Sequence, residues 1–520
     1  MKKGSFFSNV GKILVQGSHK LMASYGLDPM FGTGDRVSGS ERVYRPPPSS
    51  PDSNINHGLP RMIRYARDRS RKNPELHDAL RTRGTNVFGT GITAISLFDN
   101  AEVRHAIDAK WQRWSGRTDC DFYGMLHFPA LCRLALRQRD DAGGCFIRAI
   151  YTPPSDKLEV PFQLQLIEPE MLDISMTQRL PNGGKIIGGV ELDARGKRVA
   201  YWFFKEHPHN PLGGAPLERT RVPLAEIFHM FEIERPAQTL GNPRAYTATT
   251  DIRSLDEYEY AELERKKNTS SGYLFIKSPD NSAVEGFGRA KTFQPGEGEE
   301  GEESAGAGGR EDYIGEIEPG SVIRGYPGEE MQNTEPAKTD DLYPEYVKGK
   351  KRSAARSMGM SYESYTGDLE KVNFSSIRVG LNQEESKYRT EQDLYAATFL
   401  TWVWEKWMDI AVMAGALDLP NYFAKRIAYQ EVMWQAPGWK YVNPLQEIKA
   451  LEVEVDMGLI SKSQAAAQRG RNFEDVVARR AADKALEKSY GVFVPPKEAT
   501  ETTIPAEPEN PDKKDKEEQN

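Results

Sequence analysis

Phe162-Gln163-Leu164-Gln165-Leu166 alternates apolar and polar side chains. That period of two belongs to a strand with one face on a core and the other toward water. Around it, residues 161–232 read as β-rich. Further strands are expected at 185–192, 199–205 and 227–231, with Gly183-Gly184 and Ala194-Arg195-Gly196 at turns between them. Just upstream, residues 125–139 read as a helix, with Leu126, Ala130, Leu134 and Arg137 along neighbouring faces. Asp141-Ala142-Gly143-Gly144 has turn chemistry, which also accounts for the acid pair Asp140-Asp141, and residues 145–150 read as a strand. The strands cluster instead of alternating with helices, so the fold class is α+β and not a βαβ repeat.

Toward the N-terminus, residues 74–118 read as helix, short strand and helix. Val87-Phe88-Gly89-Thr90-Gly91-Ile92 has part of a glycine-rich loop but lacks the third glycine and trailing acid of a dinucleotide site, so a strand with a tight turn is expected. A helix starting near Pro60 carries Arg61, Arg64, Arg67, Arg69 and Arg71. A solvated helix face explains them more simply than a basic patch facing a polyanion. Arg45-Pro46-Pro47-Pro48-Ser49-Ser50-Pro51 is expected to be an extended linker, because consecutive prolines remove amide donors.

Toward the C-terminus, residues 251–268 read as a long helix with Ile252, Leu255, Tyr258, Tyr260 and Leu263 on its apolar side. Composition then changes abruptly. Residues 280–312 include Gly296-Glu297-Gly298-Glu299-Glu300-Gly301-Glu302-Glu303, which cannot bury a core. Leu274-Phe275-Ile276 and Glu316-Ile317 flank this insertion as short strands. Residues 343–358 read as a second helix and 359–371 as a loop. A helix from 375 to 416 would span about 60 Å unbroken. That length implies a kink or a spanning role. Residues 444–490 read as two shorter helices with Gly458 between them, followed by a Pro-, Glu- and Lys-rich tail with a disordered composition.

At 520 residues the chain is too long for one ordinary core. Its net charge of −7 argues against a tight grip on nucleic acid, so any DNA contact is expected to be loose and local. Cys120, Cys132 and Cys145 are odd in number and have no CxxC spacing, so reduced thiols are expected, with no zinc site even though His127 lies nearby. No apolar run reaches eighteen residues and no signal-type segment opens the chain, so a cytoplasmic protein without membrane contact is expected. There is no P-loop, no Gly-x-Ser-x-Gly elbow and no His-Glu-x-x-His; His207-Pro208-His209 reads as an exposed loop. Nothing assembles a catalytic centre or a cofactor site. Trp402, Trp404, Trp407, Trp434 and Trp439 read as core or subunit interface.

Four stretches together carry a resemblance. They are Arg64-Tyr65-Ala66-Arg67-Asp68 with Asn73-Pro74 and the 87–92 segment; Phe228-His229-Met230-Phe231 with Arg235-Pro236-Ala237-Gln238 and Gly241-Asn242-Pro243; Met360-Ser361-Tyr362-Glu363 through Val372-Asn373-Phe374-Ser375-Ser376-Ile377-Arg378; and Ala436-Pro437-Gly438-Trp439-Lys440-Tyr441-Val442-Asn443-Pro444 with Gly458-Leu459-Ile460-Ser461. In this order and spacing they resemble the lambda-type family of phage portal proteins over residues 60–490. The acidic 280–312 insertion departs from that pattern.

The resemblance implies a non-enzymatic, portal-type subunit of a dodecameric ring with a central channel. Its parts would be an N-terminal arm (1–60), an α/β wing (61–250), a helical stem (251–269 and 341–358) around a small β-containing clip (270–340), and a tunnel loop (359–374). A long wing helix and following segment (375–440), a helical crown (441–490) and a tail (491–520) would complete it. It further implies a virion protein assembled in the host cytoplasm. The ring would nucleate capsid assembly with major capsid protein and scaffold, dock the terminase large subunit, pass double-stranded DNA, and hold head-completion or adaptor proteins. Lys348, Lys350, Lys351, Arg352, Arg356 and Lys371 are the candidate channel-facing cations. Pairing with acids of neighbouring subunits is an equal alternative. Tyr362 and Tyr365 would touch DNA or pack loop against loop. Another virion protein, such as an adaptor or minor capsid protein, is the alternative reading, with a nucleic-acid enzyme behind it.

Overall fold

A computed structural model describes residues 49–210, 218–270, 274–276, 322–324, 343–370, 374–439 and 444–491. The chain divides into two units, Met1–Trp434 and Gln435–Asn520.

The described part of the first unit begins with two helices that share Asn73. Helix α1 (Pro51–Lys72) is capped by Ser50, whose hydroxyl accepts from the Ser53 amide, and has proline in its first turn. The expected start near Pro60 is therefore corrected: Pro51 supplies a pre-set φ where no amide is needed, and Pro60 lies inside the helix. Asn73 ends α1 and caps α2 (Pro74–Val87) by accepting from the Leu76 amide at 2.8 Å. The 87–92 segment is a second correction. Val87 ends α2, a turn follows, and strand β1 begins only at Thr93 (Thr93–Ser96).

Helices α3 (Ala101–Gly116) and α4 (Phe128–Ala142) follow. Gly143 stops α4 in a left-handed conformation. A Cβ on Gly143 would meet the Gly241 carbonyl at 2.6 Å, and one on Gly241 would meet the Gly143 carbonyl at 2.1 Å. The two glycines let a turn and a distant loop touch backbone to backbone.

The expected β-rich region forms two antiparallel sheets. Strands β2 (Cys145–Tyr151), β3 (Phe162–Ile167) and β9 (Ile227–Met230) stand in the order β3-β2-β9. Leu164 faces Ala149 and Leu166 faces Ile147 across the ladder. Strands β4 (Gln178–Arg179), β5 (Lys185–Ile187), β6 (Val190–Leu192), β7 (Arg198–Phe204) and β8 (Arg219–Pro223) form the second sheet in chain order. One face of α1 seals these sheets with Ile55, Leu59 and Ile63 against Phe146, Leu172, Tyr201 and Phe203. Each such aliphatic side chain gains about 1.5–3 kcal/mol on full burial.

Helix α5 (Arg244–Ser270) starts seven residues before the expected helix and lies beside α6 (Tyr343–Ser357). Between them in sequence, β10 (Leu274–Ile276) pairs in parallel with β11 (Val322–Arg324), and the expected Glu316-Ile317 strand lies outside the described residues. Ala245, Ala248, Ala354 and Ala355 let α5 and α6 approach closely over Leu76 and Leu80. The expected loop after α6 contains a helical turn, α7 (Tyr362–Thr366), capped by Ser361.

The expected long helix is interrupted by one π-helical turn. α8 (Phe374–Tyr395) and α9 (Thr401–Met413) flank Ala396–Leu400, and the Thr401 hydroxyl donates to the Ala396 carbonyl at 2.7 Å. Beyond α9 come the short helix α10 (Arg426–Gln430) and strand β12 (Val432–Gln435), which pairs with β1. Trp111, Trp114, Trp404 and Trp407 pack with Phe128 in an aromatic core, Trp111 lying 5.1 Å from both Trp404 and Trp407.

Among the described residues of the second unit there are three helices where two are expected: α11 (Pro444–Asp456), α12 (Lys462–Ala467) and α13 (Phe473–Ser489). A capping box between Ser461 and Gln464 starts the extra one.

Candidate channel-facing site

The candidate cations fall on α6, whose contacts sort them. Lys348, Arg352 and Arg356 are spaced by four residues and share one helix face. Arg352 and Arg356 are exposed, and none of the three has a carboxylate ion-pair partner among the described residues. Lys348 and Arg352 both lie over the Tyr362 ring, at 5.2 and 5.6 Å from its centre. The Tyr362 hydroxyl donates to Asp368 at 3.2 Å.

Lys350 and Lys351 point elsewhere. The Lys350 ammonium bonds Asp251 of α5 at 3.0 Å, and the Lys351 ammonium bonds Glu75 of α2 at 2.6 Å. Burial works against the Lys351 charge, but the Glu75 carboxylate more than offsets it and raises its pKa. These acids lie in the same chain, which the expected pairing with neighbouring subunits did not anticipate. Tyr365 is 3% exposed and packs among Leu80, Ile252, Ala355 and Met360. Lys371 lies outside the described residues. The four-residue spacing was readable in the sequence; which lysine met which acid was not.

The far end of the helix pair is aromatic. Tyr258 of α5 lies 4.6 Å from Tyr346 and 5.7 Å from Tyr343, and Lys266 covers the Tyr343 ring. With Asp251 opposite Lys350 and Ser353, and Tyr258 opposite Tyr343 and Tyr346, the two helices run antiparallel.

Behind α6 lies a buried ionic cluster that sequence reading missed. Asp140 is not a turn acid: it is 1% exposed and accepts from Arg83 Nε at 2.7 Å and Arg139 Nε at 2.9 Å. Burial alone would raise its pKa, but Arg139, Arg83 and Arg244 hold the carboxyl well below the usual range. Arg83 also donates to both Glu391 oxygens, at 2.8 and 2.9 Å, and to the Met358 carbonyl at 3.3 Å. Arg139 donates to the Tyr395 hydroxyl, and Arg244 donates to Glu232. The cluster thus ties α2, α4, α5 and α8 to the end of α6. From α8, Lys387 donates to the Gly359 carbonyl, and Glu384 accepts from the Ser361 amide and Ser364 hydroxyl. The 358–364 turn is therefore held in place by side chains of α8.

The three cysteines are free and buried, and burial pushes the Cys120 and Cys145 thiols up to about 12. Among the described residues no cluster of His, Cys, Asp and Glu is placed to hold a metal ion, and no helix is long and apolar enough to cross a membrane.

The sequence model described as phage portal protein, lambda family, matches residues 38–392, and the chain belongs to that family, whose members are structural, non-enzymatic components of the virion. The chain is 28% identical over 420 residues to a probable portal protein of Halomonas phage phiHAP-1, covering 78% of this chain and 76% of that one. It is 20% identical over 502 residues to portal protein B of Escherichia phage lambda, covering 89% and 91% of the two chains. A chain from the neck of an empty GTA particle computed with C6 symmetry overlaps 80% of this chain and 93% of its own length, at 13% identity and a TM-score of 0.38. Membership of the family implies an oligomeric ring associated with the capsid.

Proposed function

We propose that this chain forms the ring-shaped channel at one capsid vertex, through which terminase packages DNA and from which DNA is later ejected. The observation that carries the reading is the family match over residues 38–392, which includes the antiparallel helix pair α5 and α6. The stem would be α5 and α6. The 271–342 segment between them would be the clip, docking terminase during packaging and head-completion proteins afterwards. The stripe Lys348, Arg352 and Arg356 supports a channel role. Ring symmetry repeats each cation at every subunit, giving weak, equivalent contacts along which phosphates slide. Tyr362, whose ring Lys348 and Arg352 cover, belongs to the same proposed surface.

Electron microscopy of the purified protein, with its mass measured in solution, tests this. Closed rings with a hole wide enough for duplex DNA are expected. A compact dimer or tetramer with no channel would sink the reading.

A further inference from the structure

The arginines of α1 do not share one role. Arg67 is engaged within the fold, where Glu168, Glu170 and Gln138 accept from it at 3.0–3.1 Å. Arg64 is exposed, and Arg71 Nε returns to the Arg67 carbonyl. Arg61 and Arg69 stand eight residues apart with Tyr65 midway, on one face of α1. That face lines a cleft whose other wall includes Thr249, Thr250 and Arg253, neighbours on one face of α5. Helix α6 meets α5 through other positions, among them Ala248 and Asp251. The cleft is therefore built from residues distinct from the Lys348, Arg352 and Arg356 stripe.

The charges in the cleft are only partly matched. Arg69 gives one guanidinium nitrogen to Asp256, and Arg253 gives Nε to Glu257 at 3.0 Å. A guanidinium carries five N–H donors, so both arginines keep donors for a further acceptor. Arg61 has no ion-pair partner among the described residues and lies over the Tyr65 ring, 5.6 Å from its centre. Asp256 and Glu257 thus balance two of the three cations, and Arg61 leaves one positive charge unbalanced. Thr250 is exposed and offers a hydroxyl, whereas buried Thr249 turns its own hydroxyl back on the Tyr246 carbonyl at 2.6 Å.

The cleft has room of about 50 Å³. One water needs roughly 10–15 Å³ of such room, so the four oxygens of a phosphate group fit. A planar carboxylate is matched by a single guanidinium fork. Guanidinium groups reaching in from two helices suit a tetrahedral oxyanion, whose oxygens accept from several directions. We infer that the cleft between α1 and α5 is a phosphate-binding site formed by Arg61, Arg69 and Arg253 with Thr250. Free inorganic phosphate and the phosphodiesters of DNA present this same group. The inference does not rest on the ring reading.

The test titrates inorganic phosphate, and separately a short DNA duplex, into the full chain at fixed ionic strength. Wild type is compared with Arg61→Gln, Arg253→Gln and Arg64→Gln. None of the three side chains is buried, so the variants should melt with wild type. Arg64→Gln removes the same charge from the same helix but outside the cleft. Wild type is expected to bind saturably. Arg61→Gln and Arg253→Gln should each weaken binding by about tenfold or more, while Arg64→Gln should stay within about twofold of wild type. Loss of duplex affinity in the two cleft variants assigns the site to DNA. Loss of phosphate affinity with unchanged duplex affinity assigns it to the free ion. The site is overturned if Arg61→Gln matches Arg64→Gln with both probes, the result expected of a duplex held by the α6 stripe alone. Failure of both probes to bind saturably would overturn it equally.

Discussion

Arg83 and Asp140, each 1% exposed, meet at 2.7 Å in the ionic cluster behind α6. Removing Arg83 takes one of three guanidinium partners from the buried Asp140 carboxylate, leaves Arg139 and Arg244 to compensate it, and deprives Glu391 of its two-oxygen contact. Arg83→Met is therefore expected to cost up to about 3–5 kcal/mol, read as a lower urea midpoint at neutral pH. Because the Asp140 pKa is lowered, the stabilisation it contributes is fully present above the ordinary carboxylate range and is lost only as pH falls through its depressed value. Wild type and variant should therefore still differ at pH 4. A variant indistinguishable from wild type would show that the cluster is not a structural anchor.

His229 is half-buried, stacked 4.1 Å from Phe146 and 4.3 Å from Phe231, and its sheltered Nδ1 has no hydrogen-bond partner among the described residues. Burial, aided by the Arg198 charge, holds its pKa well below 6.5. In the pH interval between those two values the unfolded chain binds a proton that the folded chain refuses, so stability falls as pH drops below about 6.5, by at most ~1.4 kcal/mol per unit. His229→Phe keeps the stack and removes the titration. Melting curves between pH 7 and 5 should be flatter for the variant; equal slopes would reject the assignment.

Lys348, Arg352 and Arg356 should separate from Lys350 and Lys351. Alanine at any of the first three is expected to change stability by under about 0.5 kcal/mol and to weaken DNA retention, lowering the salt slope by about 0.9 for each phosphate that is no longer neutralised. Lys351→Ala should instead cost about 0.2–1 kcal/mol, because its ion pair with Glu75 is partly exposed. Equal DNA retention by Arg352→Ala and wild type would remove that stripe from the channel proposal.

Two glycines should respond with opposite sign. Gly241→Ala drives a Cβ into the Gly143 carbonyl and is expected to cost about 1–3 kcal/mol. Gly349 lies inside α6 with nothing within 4 Å of its would-be Cβ, so Gly349→Ala should stabilise by about 0.4–1 kcal/mol. Thermal melts of the two variants decide both signs.

Local patterning alone determined the strand through Phe162 and Leu164 and the long helices either side of residues 271–342, while the length of the 375–416 run left a kink or a spanning role open. Each depends on periodicity or chain length within a short window. Pro51 and Pro60 show where that reading slips: a proline marks a helix start or a helix interior according to what its neighbours pack against, and here Ile55, Leu59 and Ile63 carry the helix through Pro60. The portal resemblance was likewise legible, because it rests on ordered short motifs. Only the tertiary structure decided the charges. Asp140 looks like a turn acid until Arg83 arrives from 57 residues away and Glu391, on the remote helix α8, joins the cluster. Lys350 and Lys351 look equivalent to Lys348 until α5 and α2 bring Asp251 and Glu75 against them. An ion pair depends on which distant residue folding places within a few ångströms, and no local pattern encodes that distance.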